Sequence, residues 1–286
     1  MKKEQIKFYI MKMKKIITSI LFVSVLQVAF AQIKYKTNLP NSSNFVILSK
    51  QDNRLKRSFI TTDDAGNPYL LYQSSLLPVF VGENIAPILL PNDLQPQSIS
   101  TISSSGFYYT QGGNLYFFAA TKTDTLTNFT KNDTKNLTFL EIDNDNFYLI
   151  KESLNGYFTI FLIDNNFDVH EIITTQQRIT AIAGSKDVLM LAIDNCIFLL
   201  SDKKLTLLLK ESSKIISLAI DYTGGIFYST ESYINYFDAR LLAFPICNKG
   251  AKQLICNATE LYILLTEGVV CKITNVAQLH KLNIQK

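Results

Sequence analysis

A run of four mostly aromatic or branched residues returns along this chain at a nearly constant interval. Tyr69-Leu-Leu-Tyr72, Phe107-Tyr-Tyr-Thr110, Phe147-Tyr-Leu-Ile150, Val188-Leu-Met-Leu191, Ile226-Phe-Tyr-Ser229 and Leu261-Tyr-Ile-Leu264 align with one another. Their first residues, at 69, 107, 147, 188, 226 and 261, stand 38, 40, 41, 38 and 35 positions apart. Such a period constrains the fold strongly, because each unit must repeat one supersecondary structure and bury its apolar surface against the next. The fifth unit shows the internal order best. Ile215-Ile-Ser-Leu-Ala-Ile220 leads into the turn Asp221-Tyr-Thr-Gly-Gly225, then Ile226 to Thr230, Tyr233 to Phe237 and Leu241 to Phe244. Short apolar runs broken by Gly, Asn and Asp are too short for helices and read as strands joined by hairpin turns.

Four strands every ~40 residues is the period of propeller blades, so the sequence predicts an all-β, six-bladed β-propeller. The other units carry the same first strand: Ile99-Ser-Thr-Ile102 before Gly106, Leu137-Thr-Phe-Leu140 before Asp143-Asn-Asp-Asn146, and Ile179-Thr-Ala-Ile182 before Asp187. Blades stacked face to face cover both sides of their inner strands, which accounts for near-continuous hydrophobic runs. A parallel β-helix repeats at shorter periods, and two β-sandwiches would not give six even units. Two segments compete for the closing strand, Asn44 to Ser49 and Gln278 to Ile284. If the N-terminal one completes the last blade, it pins first and last blades together and removes an exposed edge.

The N-terminus reads separately. Met11-Lys-Met-Lys-Lys15 precedes the apolar run Ile16 to Phe30 and the small-residue site Ala29-Phe-Ala31. A basic start, an apolar stretch shorter than the ~20 residues of a membrane span and that cleavage site predict a secretory signal peptide over residues 1–31, with translation starting at Met1, Met11 or Met13. Residues 32–286 would then be a single exported propeller domain. With no Cys at the cleavage site, a lipid-anchored form is disfavoured. Removing residues 1–31 takes six Lys and one Glu from totals of 28 basic and 24 acidic residues, leaving 22 against 23. A balance near −1 offers no footprint for nucleic acid or an anionic membrane, and the basic character belongs to the precursor.

The unit from Ile215 to Phe237, with Ala219-Ile-Asp221, the Gly224-Gly225 turn and Ile226-Phe-Tyr-Ser-Thr230, resembles the NHL-like and two-component-regulator-type propellers. The first unit follows with Thr61-Thr-Asp-Asp64 and Gly66-Asn-Pro-Tyr69. The resemblance covers the repeat and not a site. The chain has no Trp, which sets it apart from Trp-Asp-repeat and quinoprotein propellers, and Kelch-type Gly pairs occur only at Gly112-Gly113 and Gly224-Gly225. Propellers related to these serve as sensors, scaffolds, lyases and lactonases, so the resemblance implies a fold and leaves the activity open.

No catalytic set emerges. The two histidines, His170 and His280, fall on predicted outer strands of different blades, too far apart for a shared centre. Asp63, Asp143 and Asp221 recur just after the first strand of three units. Two readings stand for them: repeated turn residues, since Asx side chains stabilise such turns, or carboxylates at one end of the central channel able to hold Ca²⁺. The cluster Glu141-Ile-Asp-Asn-Asp-Asn146 carries the same pair of readings and lacks the Gly and distal Glu of an EF-hand.

Cys196, Cys247, Cys256 and Cys271 form no C-x-x-C pair. Cys247 and Cys256 could bridge neighbouring strands, whereas Cys196 and Cys271 read as buried thiols. The aromatic pairs Tyr108-Tyr109 and Phe117-Phe118 should each place one member between blades. The sequons at Asn41, Asn128, Asn132, Asn136 and Asn257 matter only in a eukaryotic secretory pathway, and the short Lys-rich leader is of bacterial type. Without a catalytic set, the expectation is a non-enzymatic scaffold that binds a protein partner of the cell envelope through one face of the ring. A divalent-metal-dependent lactonase- or lyase-like enzyme and a carbohydrate-binding propeller are the alternatives. An apolar or Ser/Thr-lined channel would count against the enzyme.

Overall fold

In the computed structural model, residues 37, 39, 43–49 and 51–279 are described, apart from 73–74, 80–86, 91–93, 95, 120–121, 129–133, 144–145, 165, 186–187, 239–242 and 258. The expected signal peptide lies outside the described residues. The described residues fall within one compact unit, Thr37–Lys286.

A short N-terminal strand, β1 (Phe45–Ile47), precedes six strand groups. The first blade contains β2 (Phe59–Thr62), β3 (Pro68–Tyr72), β4 (Ser75–Pro78) and β5 (Ile88–Leu89). The second has β6 (Ser98–Ile99), β7 (Phe107–Gln111), β8 (Asn114–Ala119) and β9 (Lys122–Asn128), and the third β10 (Thr134–Asp143), β11 (Asn146–Ser153), β12 (Phe158–Ile163) and β13 (Val169–Thr175). In the fourth are β14 (Ile179–Ser185), β15 (Val188–Ile193), β16 (Cys196–Ser201) and β17 (Lys204–Lys210); in the fifth, β18 (Ser217–Ile220), β19 (Ile226–Ser229), β20 (Ile234–Phe237) and β21 (Ala243–Cys247). The last holds β22 (Ala251–Cys256), β23 (Glu260–Leu265) and β24 (Val270–Thr274). Each group is one antiparallel sheet, of four strands once β1 joins the last, and the six innermost strands neighbour one another in a closed ring. The chain is a six-bladed β-propeller, and the aromatic run of the sequence repeat is the second strand of every blade.

The sixth blade settles the closure. Its order is β22-β23-β24-β1, with Phe45 opposite Ile273 and Ile47 opposite Cys271. The N-terminal strand therefore occupies the outer position, while residues 276–279 form a 3-10 turn and 280–286 lie outside the described residues. Joining chain segments far apart in sequence covers the open edge of β24.

Packing between blades explains the uninterrupted apolar runs. On β15, Leu189, Leu191 and Ile193 face Ile150, Phe158 and Ile160 of the third blade, while Met190 and Ala192 face Ile226 and Tyr228 of the fifth. Alternate side chains point to opposite faces and both faces are covered, so every position is apolar. The same holds for both members of the Tyr108-Tyr109 pair. Tyr109 joins the cluster with Tyr69 and Phe107 between the first two blades, and the Tyr108 ring lies 4.6 Å from Phe147 of the third. Both members fill inter-blade space, one more than the expected half.

Candidate functional site

The six innermost strands enclose a channel of about 440 Å³. They run in the same direction, so the channel has an N-terminal mouth, where these strands begin, and a C-terminal mouth, where they end. Its described lining is mostly Ser, Thr, Ile, Leu and Ala, with Phe59, Gly184 and Cys256, and with Gln97, Gln253 and Lys252 as the larger polar groups.

Much of that polar lining is engaged in joining blades. Thr61 Oγ1 donates to the Ser100 carbonyl at 2.6 Å, and Thr180 Oγ1 to the Ile215 carbonyl at 2.6 Å. Ser217 Oγ accepts from Leu254 N at 2.9 Å. Across the closure, the Gln253 amide accepts from Ile60 N and donates to the Ile60 carbonyl, both at 2.8 Å. Lys252 Nζ donates to the Ser58 carbonyl at 2.7 Å and lies 4.7 Å from the centre of the Phe59 ring. Burial pulls the Lys252 pKa below the usual lysine range, because desolvation disfavours the ammonium. Gln97 Oε1 is the exception, buried without a hydrogen-bond partner.

At the C-terminal mouth, Asp63 and Asp221 occupy equivalent turns. Asp63 Oδ1 accepts from Ala65 N (3.0 Å) and Asn67 N (2.8 Å), and Oδ2 from Asn67 Nδ2. Asp221 Oδ1 accepts from Thr223 N (2.8 Å), Thr223 Oγ1 (2.6 Å) and Gly225 N (2.8 Å), and Oδ2 from the Tyr236 hydroxyl (2.9 Å). Gly224 supplies the positive φ this turn needs, and any side chain at Gly225 would collide with the Tyr236 hydroxyl. Burial, with the nearby Asp221 charge, raises the Tyr236 phenol well above its ordinary range. Asp143 ends β10 on the same side, opposite Asn146. The side chains of Glu141–Asn146 lie outside the described residues. Among the described residues no three His, Cys, Asp or Glu side chains converge as a metal ion would require.

Asp164 repeats this turn between β12 and β13, accepting from Asn166 N and Asp168 N. Its other oxygen meets His170 Nε2 at 3.1 Å. That hydrogen bond holds the Asp164 carboxyl below the usual range. His170 is an exposed residue of an outer strand, as expected, and His280 lies outside the described residues.

The structure does not bring Cys247 and Cys256 together. Cys247 ends the outermost strand of the fifth blade, Cys256 ends the innermost strand of the sixth at the opposite mouth, and all four thiols are free. Adjacency in sequence failed as a guide because β21 and β22 are consecutive strands of different sheets. Burial raises the Cys247 thiol to about 11 and pushes Cys256 and Cys271 up as well.

The N-terminal mouth carries cations. Lys135 pairs with Glu152 at 2.5 Å and Lys249 with Glu267 at 3.1 Å. Arg178 and Lys214, just ahead of β14 and β18, are exposed, and among the described residues neither has an ion-pair partner. Both line a cavity of about 300 Å³ whose wall includes Asn136, Thr138 and Thr180. Nearby, Glu211 accepts hydrogen bonds from the Tyr228 and Tyr233 hydroxyls, and Asn235 Nδ2 donates to Tyr228 Oη at 2.7 Å. Burial and the Glu211 hydrogen bond push the Tyr228 phenol far above its usual range. No motif in the sequence marks Arg178, Lys214 or Glu211. A signal exists: a basic residue recurs near the start of the first strand in five units, at Arg57, Lys135, Arg178, Lys214 and Lys249.

No protein-family model and no curated protein matches the chain. Solved structures do. A gluconolactonase from Xanthomonas campestris superposes with a TM-score of 0.66 at 9% identity, covering 85% of this chain and 95% of that one. Virginiamycin B lyase from Staphylococcus aureus, in a catalytically inactive form with histidine replaced by alanine, gives 0.57 at 13% identity, covering 84% and 99%. The WD40 propeller domain of Doa1 gives 0.51 at 11%, covering 75% and 77%. The likeness is one of fold. At these identities it carries no activity across.

Proposed function

We propose that this chain is an exported, non-enzymatic propeller that binds a protein partner through a face of its ring. The observation that carries this reading is the use of the inner-strand polar groups. Thr61, Thr180, Ser217 and Gln253 hold blades to one another, and Asp63 and Asp221 hold turns. An enzyme needs such groups free to meet substrate or metal. Here these groups are committed to the scaffold, Gln97 Oε1 aside, and exposed cations without a described partner lie on the rim.

Among the described residues, the one histidine, His170, sits on an outer strand, outside the channel lining and hydrogen-bonded to Asp164. Rigid blades carrying variable loops suit a binding platform. Export rests on the basic, apolar and small-residue pattern from Met11 to Ala31.

The test is affinity purification of the C-terminally tagged protein from the envelope of its host, with mass spectrometry of what remains bound. A stoichiometric partner supports the reading. A protein that emerges alone, and that hydrolyses lactones in a chelator-sensitive way, overturns it.

A further inference from the structure

Building on the binding reading, we propose that the N-terminal mouth over the third to fifth blades docks an acidic segment of the partner protein, anchored by an apolar side chain. Four observations converge on this surface.

The first is charge without counter-charge. Lys135 and Lys249 are each neutralised by a carboxylate of their own blade, Glu152 and Glu267. Arg178 and Lys214 occupy the comparable positions of the fourth and fifth blades and have no such partner among the described residues. The other described acids on this face do not supply one. Asp194 and Glu231 sit at hairpin tips without an ion pair to either cation, and Glu211 is taken up by Tyr228, Tyr233 and Asn235.

The second is concavity. Arg178 and Lys214 border the same cavity of about 300 Å³, together with Asn136, Thr138 and Thr180, so a carboxylate entering it meets two cations rather than one. The only carboxylate in that wall, Glu152, already holds Lys135. A guanidinium beside a concave, partly desolvated wall pairs with carboxylates more strongly than a cation on open surface.

The third is an apolar neighbour. The hairpin joining β11 to β12 projects from this face with Leu154 66% and Tyr157 37% exposed. Gln176 Nε2 donates to Tyr157 Oη at 2.6 Å, tying that hairpin to the loop that carries Arg178. Tyr and Arg are residue types that interface hot spots favour, and Leu154 adds exposed apolar surface on the adjoining hairpin.

The fourth is the contrast within the ring. At the C-terminal mouth Asp63 and Asp221 are enclosed by their own turns while Asp64, Asp168 and Asp202 are exposed, so acidic charge on that side of the ring stands against the exposed cations Arg178 and Lys214 on this one. Complementarity then calls for acid on the partner.

The test uses the full-length protein and a fluorescein-labelled peptide of about ten residues alternating Glu and Leu, read by fluorescence anisotropy, with a Lys/Leu peptide as counterpart. Binding of the acidic peptide alone, weakened by salt, is expected. Arg178→Glu with Lys214→Glu should weaken it by at least about tenfold, since reversing charges at a complementary surface turns attraction into repulsion. Leu154→Ser should weaken it less, and Lys204→Glu on the opposite face should leave it unchanged. Circular dichroism should show the fold intact in every variant, since all four positions are exposed.

Equal affinity of the double variant, or no preference for the acidic peptide, overturns the proposal. Displacement of the peptide by millimolar succinate as effectively as by unlabelled peptide would also overturn it, in favour of a small organic anion. Capture from the envelope separates this inference from the reading beneath it. A partner retained by the double variant sinks the inference and spares the binding function, whereas no partner for the wild type and no peptide binding sink both.

Discussion

At the C-terminal mouth, Asp63 and Asp221 turn their carboxylates back into their own hairpins, while at the N-terminal mouth Arg178 and Lys214 stand beside a cavity whose one described carboxylate, Glu152, pairs with Lys135 instead. Charge in the first place is used to build the blade. A carboxylate that accepts several N–H and O–H groups fixes a tight turn and loses its freedom to recruit a ligand. Charge in the second place contributes little to folding and stays available. The position of a charged residue in a repeat thus says less about its role than the number of donors or acceptors already around it.

The largest effect that would sharpen this contrast is expected from Asp221→Ala. The residue is 4% exposed and accepts four hydrogen bonds, so its loss should cost about 2–4 kcal/mol in urea unfolding by the usual range for charged buried partners. Asp63→Ala should cost less, since its turn is more exposed. If Asp221→Ala unfolds like wild type, the contrast collapses.

Next comes Gln253→Ala. It strands the N–H and carbonyl of Ile60 at the seam between last and first blades, and about 1–3 kcal/mol is expected, measured the same way.

A smaller, pH-dependent effect belongs to Glu260, beside the C-terminal mouth. Burial pushes its carboxyl up, but hydrogen bonds from Lys272 and Tyr262 outweigh it, leaving a value below the ordinary 4.5. A depressed carboxylate contributes stability that is fully present above its unfolded value and is lost as pH falls through the folded one. Unfolding midpoints should therefore drop below about pH 4.5, and Glu260→Gln should flatten that part of the profile.

The smallest shifts are expected at the other mouth and from calcium. Arg178→Ala and Lys214→Ala should each move stability by no more than about 0.5 kcal/mol, as for exposed sites generally. Added calcium or chelator should leave the melting temperature unchanged. A rise of several degrees with calcium would mean that the Asp63, Asp143 and Asp221 mouth is a metal site after all.

The sequence carried the fold because the information for it is local. Each aromatic second strand, such as Ile226–Ser229, and each Asp-to-Gly turn, such as Asp221 to Gly225, lies within one unit and repeats, so blade number and strand order could be counted. The turn role of Asp63 and Asp221 was legible for the same reason. Long-range pairings were not, beyond the N-terminal strand being one of two candidates to close the ring. The closing of the ring by Phe45–Ile47 on Val270–Thr274, the Gln253 clamp on Ile60 and the separation of Cys247 from Cys256 depend on which sheet a strand joins. Likewise, Arg178 and Lys214 are 36 residues apart in the chain, from 178 to 214, and border one cavity only because successive blades present their first strands side by side. Sequence determined the repeating unit; the ring, by setting each unit against the next, decided which charges are consumed and which remain free.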